Sequence, residues 1–158
     1  MGISNLVESC GSLIYCTSTK RYLFLLRNSP GKYSGTWGLV GGKIEKGEDV
    51  MTALTREIRE ELGGKIDDLQ LWPIEKFTSP NGRFTYHTFL TTVDEEFSPL
   101  LNNEHRGYCW VSIEDHPKPL HPGVWRTFAY ESVKEKIKNL ETQFTNTTQI
   151  SASKINSL

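Results

Sequence analysis

Charge of one sign, cysteine and long apolar runs are all scarce in this chain of 158 residues, and each scarcity excludes a class of function. Eighteen basic side chains against nineteen acidic ones leave a net charge of −1. That balance lacks the basic excess of a general nucleic-acid binder and gives no membrane surface anything to attract. The three cysteines, Cys10, Cys16 and Cys109, are odd in number and form no C-x-x-C pair. They read as small core residues in a reducing compartment, with no disulfide framework or thiolate metal site. No apolar run approaches the roughly 18 residues of a membrane span. The opening MGISNLVES has neither a charged n-region nor an apolar h-region. Leu6 stands where an N-myristoylation signal needs Ser or Thr. The expectation is a cytoplasmic, single-domain protein with a core of its own.

Hydrophobic period then divides the chain. Residues 7–16 and 21–27 are β-rich runs around the polar turn 17–20, which predicts a hairpin. Residues 28–35 hold Pro30, Gly31 and Gly35 and read as a loop. A short strand around Trp37–Val40 leads into Gly41-Gly42, and residues 49–62 take a helical period. Leu69–Thr78 and Arg83–Val93 flank Ser79-Pro80-Asn81-Gly82, and Asn-Gly between two β-rich runs is a hairpin signal. Gly107–Ser112 is a further strand. Pro122 is placed to start a last helix with Val124, Phe128, Val133, Ile137 and Leu140 inward. Residues 142–158 are a polar tail by composition, and 1–141 form the domain.

The informative stretch is 42–64, GKIEKGEDVMTALTREIREELGG. On a helical wheel, Glu60 lies roughly 60° to one side of Glu57 and Glu61 roughly 40° to the other. Leu54, Ile58, Met51 and Leu62 occupy the adjacent arc, which places the carboxylates at the border between core and solvent. Like charges three and four residues apart repel, and the last turn is the wrong end of the helix dipole for an anion. Arg56 offsets part of this, and a divalent cation would offset more.

Taken alone, a Glu-rich stretch is a solvated helix face. The whole segment, however, resembles the signature of the Nudix hydrolase family, G-x5-E-x7-R-E-U-x-E-E-x-G-U, where U is bulky and aliphatic. Gly42, Glu48, Arg56, Glu57, Ile58, Glu60, Glu61 and Gly63 stand at the required spacing. A chance match of these eight has a probability on the order of 10⁻⁷ from average residue usage. Gly64 departs from the final aliphatic position, and Val40-Gly41-Gly42 replaces a common Pro-Gly-Gly. The resemblance implies an α/β fold, the family's α/β/α sandwich with a mixed sheet. It also implies a Mg²⁺-dependent hydrolase, with Mn²⁺ as a substitute. By the same resemblance Glu57, Glu60 and Glu61, with the Gly41 carbonyl, serve the metal, while Glu48 and Arg56 steady the loop and the glutamates. Glu57, Glu60 and Arg56 count among the catalytic groups.

By the same resemblance the general base outside the segment is a glutamate on a loop ahead of a late strand, which falls on Glu104, with His105 or a segment glutamate as alternatives. A loop histidine is by default a surface residue. Arg27, at a strand end, reads as a phosphate contact or a surface arginine. Trp37, Phe84, Tyr86 and Trp125 are candidates for stacking on a base, or are core. The resemblance implies cleavage of a pyrophosphate bond in a nucleoside diphosphate linked to another moiety. The resemblance favours ADP-ribose-like or dinucleotide substrates, with Pro80, in its position beyond the segment, pointing to ADP-ribose, but a turn proline has a structural explanation as well. The alternatives are a triphosphate house-cleaning enzyme and a non-catalytic nucleotide sensor. The expected partner is a small-molecule nucleotide, and the chain a monomer or homodimer.

Overall fold

The computed structural model describes residues 6–28, 30, 32–62 and 69–156, with side chains as far as residue 145. Alternation along the first strand sets the architecture. In β1 (Val7–Cys16), Cys10, Ile14 and Cys16 enter one core while Leu13 and Tyr15 enter another, all of them buried. In β2 (Arg21–Arg27), Leu23 and Leu25 join the first core and Tyr22 and Phe24 the second. A strand buried on both faces needs helices on both, and that makes three layers.

Among the described residues the remaining strands are β3 (Trp37–Gly38), β4 (Val40–Lys43), β5 (Leu71–Thr78), β6 (Phe84–Val93) and β7 (His105–Val111), all in one seven-stranded mixed sheet. β1 runs parallel to β6 along its whole length, while β5–β6 and β2–β7 pair antiparallel. β1 and β2 pair only near their hairpin, from Ile14↔Leu23 to Cys16↔Arg21, and then splay apart. The segment 37–43 fills the fork: Trp37 and Gly38 bond to β2, and Val40–Lys43 bond to Ser9–Ser12 of β1. A Cβ on Gly41 would overlap the Cys10 carbonyl and Gly11 Cα, so only glycine lets the strands approach this closely here.

Helix α1 (Val50–Leu62) covers one face. Asp49 starts it, its carboxylate accepting from the Thr52 amide at 2.7 Å. Leu54, Ile58 and Leu62 are fully buried, each contributing roughly 1.5–3 kcal/mol. The carboxylate border drawn from the helical wheel needs correction. Ala53, on the other side of Glu61 from Leu54, is also fully buried, so Glu61 lies inside the apolar arc. Met51, expected within that arc, is 46% exposed. Gly63 and Gly64 lie outside the described residues.

The last helix is two. α2 (Pro122–Ala129) ends at Tyr130, whose backbone turns extended (φ −82°, ψ 127°), and α3 (Glu131–Asn156) follows. The expected polar tail from 142 continues α3 to Asn156. Phe144 extends the stripe of Val133, Ile137 and Leu140 at helical spacing and packs on Tyr15 and Trp72. Composition overlooks that one aromatic residue. Among the described residues no helix is long and apolar enough to cross a membrane.

Candidate active site

Arg56 organises the helix side of the site. Its Nε and Nη2 grip Glu48 in a two-pronged bond, both at 2.8 Å. Nη1 donates to Glu57 at 2.9 Å and to Glu60 at 3.4 Å, and Nη2 also reaches the Lys43 carbonyl at 3.2 Å. Glu48 in turn accepts from the Glu45 amide at 2.9 Å. The Arg56 bonds hold the Glu48 carboxyl down to about 2. One arginine therefore ties the loop 43–48 to the helix and fixes Glu57.

The three helix carboxylates differ sharply in environment. Glu60 remains at the solvent edge, its side chain 55% exposed. Glu57 is half-buried, and desolvation raises its pKa despite Arg56. Its carboxylate lies against Gly42, where a Cβ would come within 2.5 Å of it. Glu61 is buried among apolar side chains. Its Oε2 accepts from the Gly41 amide at 3.1 Å, while Oε1 has no partner among the described residues. Burial pushes its carboxyl up to about 9; the Glu57 and Glu104 charges act in the same direction, and the Gly41 amide acts against them.

The fourth carboxylate comes from the turn before β7. Asn102 builds that turn: its Oδ1 accepts from the Glu104 amide at 2.9 Å and its carbonyl from His105. The Glu104 carbonyl then accepts from the Asn28 amide at 2.8 Å, which ties the turn to the end of β2. Glu61, Glu104 and His105 each bring one potential ligand atom within 4.8 Å of the others. His105 is buried and pairs in register with Arg27, which corrects the expectation of a surface histidine. Burial pushes its imidazole down to about 4, with the Arg27 charge adding to the effect. Its Nδ1 has no partner among the described residues, and Arg27 Nε is likewise buried and unpartnered there.

A cavity of about 350 Å³ meets this cluster at Arg27, Gly41 and Gly42. It runs on to Phe77, Phe84, Tyr86, Thr88 and the helix residues Arg126 and Thr127. Arg126 places its guanidinium carbon over Phe77, 3.7 Å from the ring centre, and is held there by Glu75 at 3.0 Å. Of the aromatic candidates, Phe84 and Tyr86 line this cavity. Trp37 packs in the second core, and Trp125 lines a separate hollow with Leu120 and Phe128. The acidic run 94–96 is tied down through a Glu96–Arg21 ion pair.

With this geometry in hand, the comparisons are decisive: the model of the NUDIX domain matches residues 10–130. The chain belongs to the Nudix family. A nucleoside triphosphatase, NudI, of Escherichia coli O139:H28 is 29% identical over 120 residues, which is 70% of this chain and 79% of that protein. The MutT NUDIX hydrolase from Burkholderia pseudomallei superposes with a TM-score of 0.61 at 26% identity, covering 81% of this chain and 95% of its own. The dihydroneopterin triphosphate pyrophosphohydrolase of E. coli gives a TM-score of 0.54 at 28% identity, over 66% of this chain and 80% of its own. This Nudix chain is accordingly a pyrophosphohydrolase-family enzyme acting on phosphorus anhydrides.

Sequence reasoning does not single out Thr88, Arg126 or the burial of His105. Nothing in the order of residues marks Thr88 and Arg126. The Arg27↔His105 pairing becomes visible only once β7 is known to begin ahead of the expected strand, at His105 instead of Gly107.

Proposed function

We propose that this enzyme hydrolyses a nucleoside triphosphate at a phosphoanhydride bond, releasing a nucleotide and a phosphate or pyrophosphate product. The observation that carries this reading is one continuous cavity joining Arg27, Gly41 and Gly42 to Phe84 and Tyr86. At about 350 Å³ it lies at the small end of ligand pockets and suits one nucleoside. Two of the relatives named above act, by their names, on triphosphates. The sequence alone places ADP-ribose-like substrates first, on the strength of Pro80; that residue sits in the β5–β6 turn, outside the cavity lining.

A divalent cation fits the carboxylates. Glu61 Oε1 is buried with no partner among the described residues, beside Glu57 and Glu104, and an anion so placed is costly without positive charge. Glu57, Glu61 and Glu104, with the Gly41 carbonyl, would hold Mg²⁺ or Mn²⁺, and Glu60 would act from the rim. Bound cations of this kind lower the pKa of a coordinated water and neutralise phosphoryl oxygens. The chain's own groups do the rest. Arg27 meets the phosphate end of the substrate, Phe84 and Tyr86 flank the base, and Arg56 with Glu48 keeps Glu57 in place. Glu104, the most solvent-accessible member of its cluster, accepts the proton of the attacking water.

The test is a substrate panel in Mg²⁺ with product identification: canonical and oxidised nucleoside triphosphates, ADP-ribose, dinucleoside polyphosphates and nucleotide cofactors. Triphosphates should show the highest kcat/KM, and chelator should abolish turnover until Mg²⁺ or Mn²⁺ is restored. Preferential release of AMP from ADP-ribose would move the enzyme to the other substrate class. Full turnover in excess chelator would end the metal-dependent reading.

A further inference from the structure

We propose that His105 is a metal ligand, forming with Glu61 and Glu104 a mixed nitrogen–oxygen position that favours a transition-metal dication over Mg²⁺. The inference rests on the metal-dependent reading above and goes beyond it, because that reading needs carboxylates and carbonyls alone.

Three observations converge. First, one ring nitrogen of His105 and one carboxylate oxygen each of Glu61 and Glu104 all lie within 4.8 Å of one another. Ligands around a cation with bonds of about 2.1 Å are separated by roughly 3–4.2 Å, so small side-chain movements close the set. Second, two of these residues are more than nine-tenths buried and incompletely paired: His105 is 7% exposed and Glu61 1%. His105 Nδ1 and Glu61 Oε1 both lack a partner among the described residues. Buried polar atoms in folded proteins are almost always satisfied, so two orphans in one cluster mark a place for a ligand. Third, the nitrogen changes which ion suits the point. Imidazole selects borderline metals, whereas Mg²⁺ keeps to oxygen donors and to its waters.

Arg27 argues the other way, since its guanidinium carries positive charge next to His105. Arg27 and Arg56 together stand against five carboxyl groups, Glu48, Glu57, Glu60, Glu61 and Glu104, so the locality is net negative once a dication displaces the Glu61 proton.

The experiment uses the full chain with Mn²⁺ alone and reads coordination without turnover. Pulsed electron paramagnetic resonance of the Mn²⁺-loaded protein should show a directly coupled ¹⁴N nucleus. Incorporation of ¹⁵N-histidine should change that coupling in the unmutated chain. His105→Asn should abolish it and weaken Mn²⁺ binding about tenfold, with less than a twofold change for Mg²⁺ by calorimetric titration. Mn²⁺ that binds the unmutated chain without nitrogen coupling overturns the proposal and leaves the metal-dependent reading standing. Coupling that persists in His105→Asn also overturns it, by assigning the nitrogen elsewhere. Failure of Mn²⁺ and Mg²⁺ to bind at all sinks both.

Discussion

Where α3 crosses the sheet, Tyr22 donates a 2.6 Å hydrogen bond to Glu141, and Lys136 reaches the Ile74 carbonyl at 3.0 Å. Where β1 and β2 splay apart, Arg27 Nε, Glu61 Oε1, Thr88 Oγ1 and His105 Nδ1 are buried without partners among the described residues. Both regions belong to one sheet and both bury polar atoms, but only the first satisfies them. Among the described residues every such orphan lies at the fork or along the cavity that opens from it. An unpaired buried group costs about 1–3 kcal/mol. Unpaired groups gathered at one place are the signature of a region shaped for ligands that are charged, polar and removable.

The largest expected effect breaks the fork and spares the α3 side. Glu61→Gln should lower kcat by about 10³-fold, while the metal-free protein melts at the same temperature or higher because glutamine is buried without the proton that Glu61 must take up on folding. Melting several degrees lower without metal would make Glu61 a structural residue and dissolve the contrast. Glu104→Gln should follow, with a kcat loss of about 10²-fold and little change in KM. Near-normal turnover in that variant would pass the proton to His105 or to a segment glutamate.

How much of this is legible in the sequence differs by region in the same way. Spacing alone places Glu57, Glu60 and Glu61 on one helix, because a regular helix converts sequence separation into angle. Spacing does not reveal that Glu60 stays wet while Glu61 is buried, since that depends on where β4 and Ala53 sit. The hairpins, β1–β2 and β5–β6, are readable from turn chemistry, which is local. The burial of His105 is not legible, because it comes from pairing with Arg27, a residue far away in the chain. The extension of α3 is hidden for a different reason: a single apolar residue, Phe144, outweighs a polar composition when it continues an existing stripe.

pH gives a third, smaller lever. Glu61 ionises at about 9 in the fold against an ordinary value of 4.5, so between those values the native state holds a proton that the unfolded chain has released. Stability of the metal-free protein should therefore fall as pH rises from about 6.5 to 9, with Glu57, also raised, adding in the same direction, while below about 6.5 the depressed His105 and His121 imidazoles oppose the descent. Glu48 acts oppositely and lower down. Its stabilisation is present above its ordinary pKa and is lost as pH falls toward 2. Saturating Mg²⁺ should flatten the descent between about pH 6.5 and 9, because a bound cation stabilises the carboxylates as anions. A metal-free melting temperature that climbs across that window would contradict the burial of Glu61. The fourth lever lies on the α3 side: Tyr22→Phe should cost about 1–2 kcal/mol and leave kcat/KM unchanged, as expected for a satisfied structural bond.

The smallest effect tests the comparison most directly, because it asks one residue to be better for stability when changed and worse for function. Thr88 sits on β6 opposite Gly11, 1% exposed, with its hydroxyl unpartnered at the cavity wall. Valine has almost the same shape and no hydroxyl, so Thr88→Val removes the orphan and leaves the packing intact. Relieving an unsatisfied hydroxyl should stabilise the free enzyme by about 1 kcal/mol, read as a rise of a few degrees in Tm. If that hydroxyl is kept to bond the nucleoside, KM should rise severalfold with kcat nearly unchanged, the pattern of lost uniform binding. A variant that melts lower would mean that an ordered water or a neighbour already satisfies Thr88, and one of the four orphans that define the fork would be withdrawn. If KM stays unchanged while Tm rises, the cavity wall at Thr88 does not touch substrate, and the base sits nearer Phe84 and Arg126.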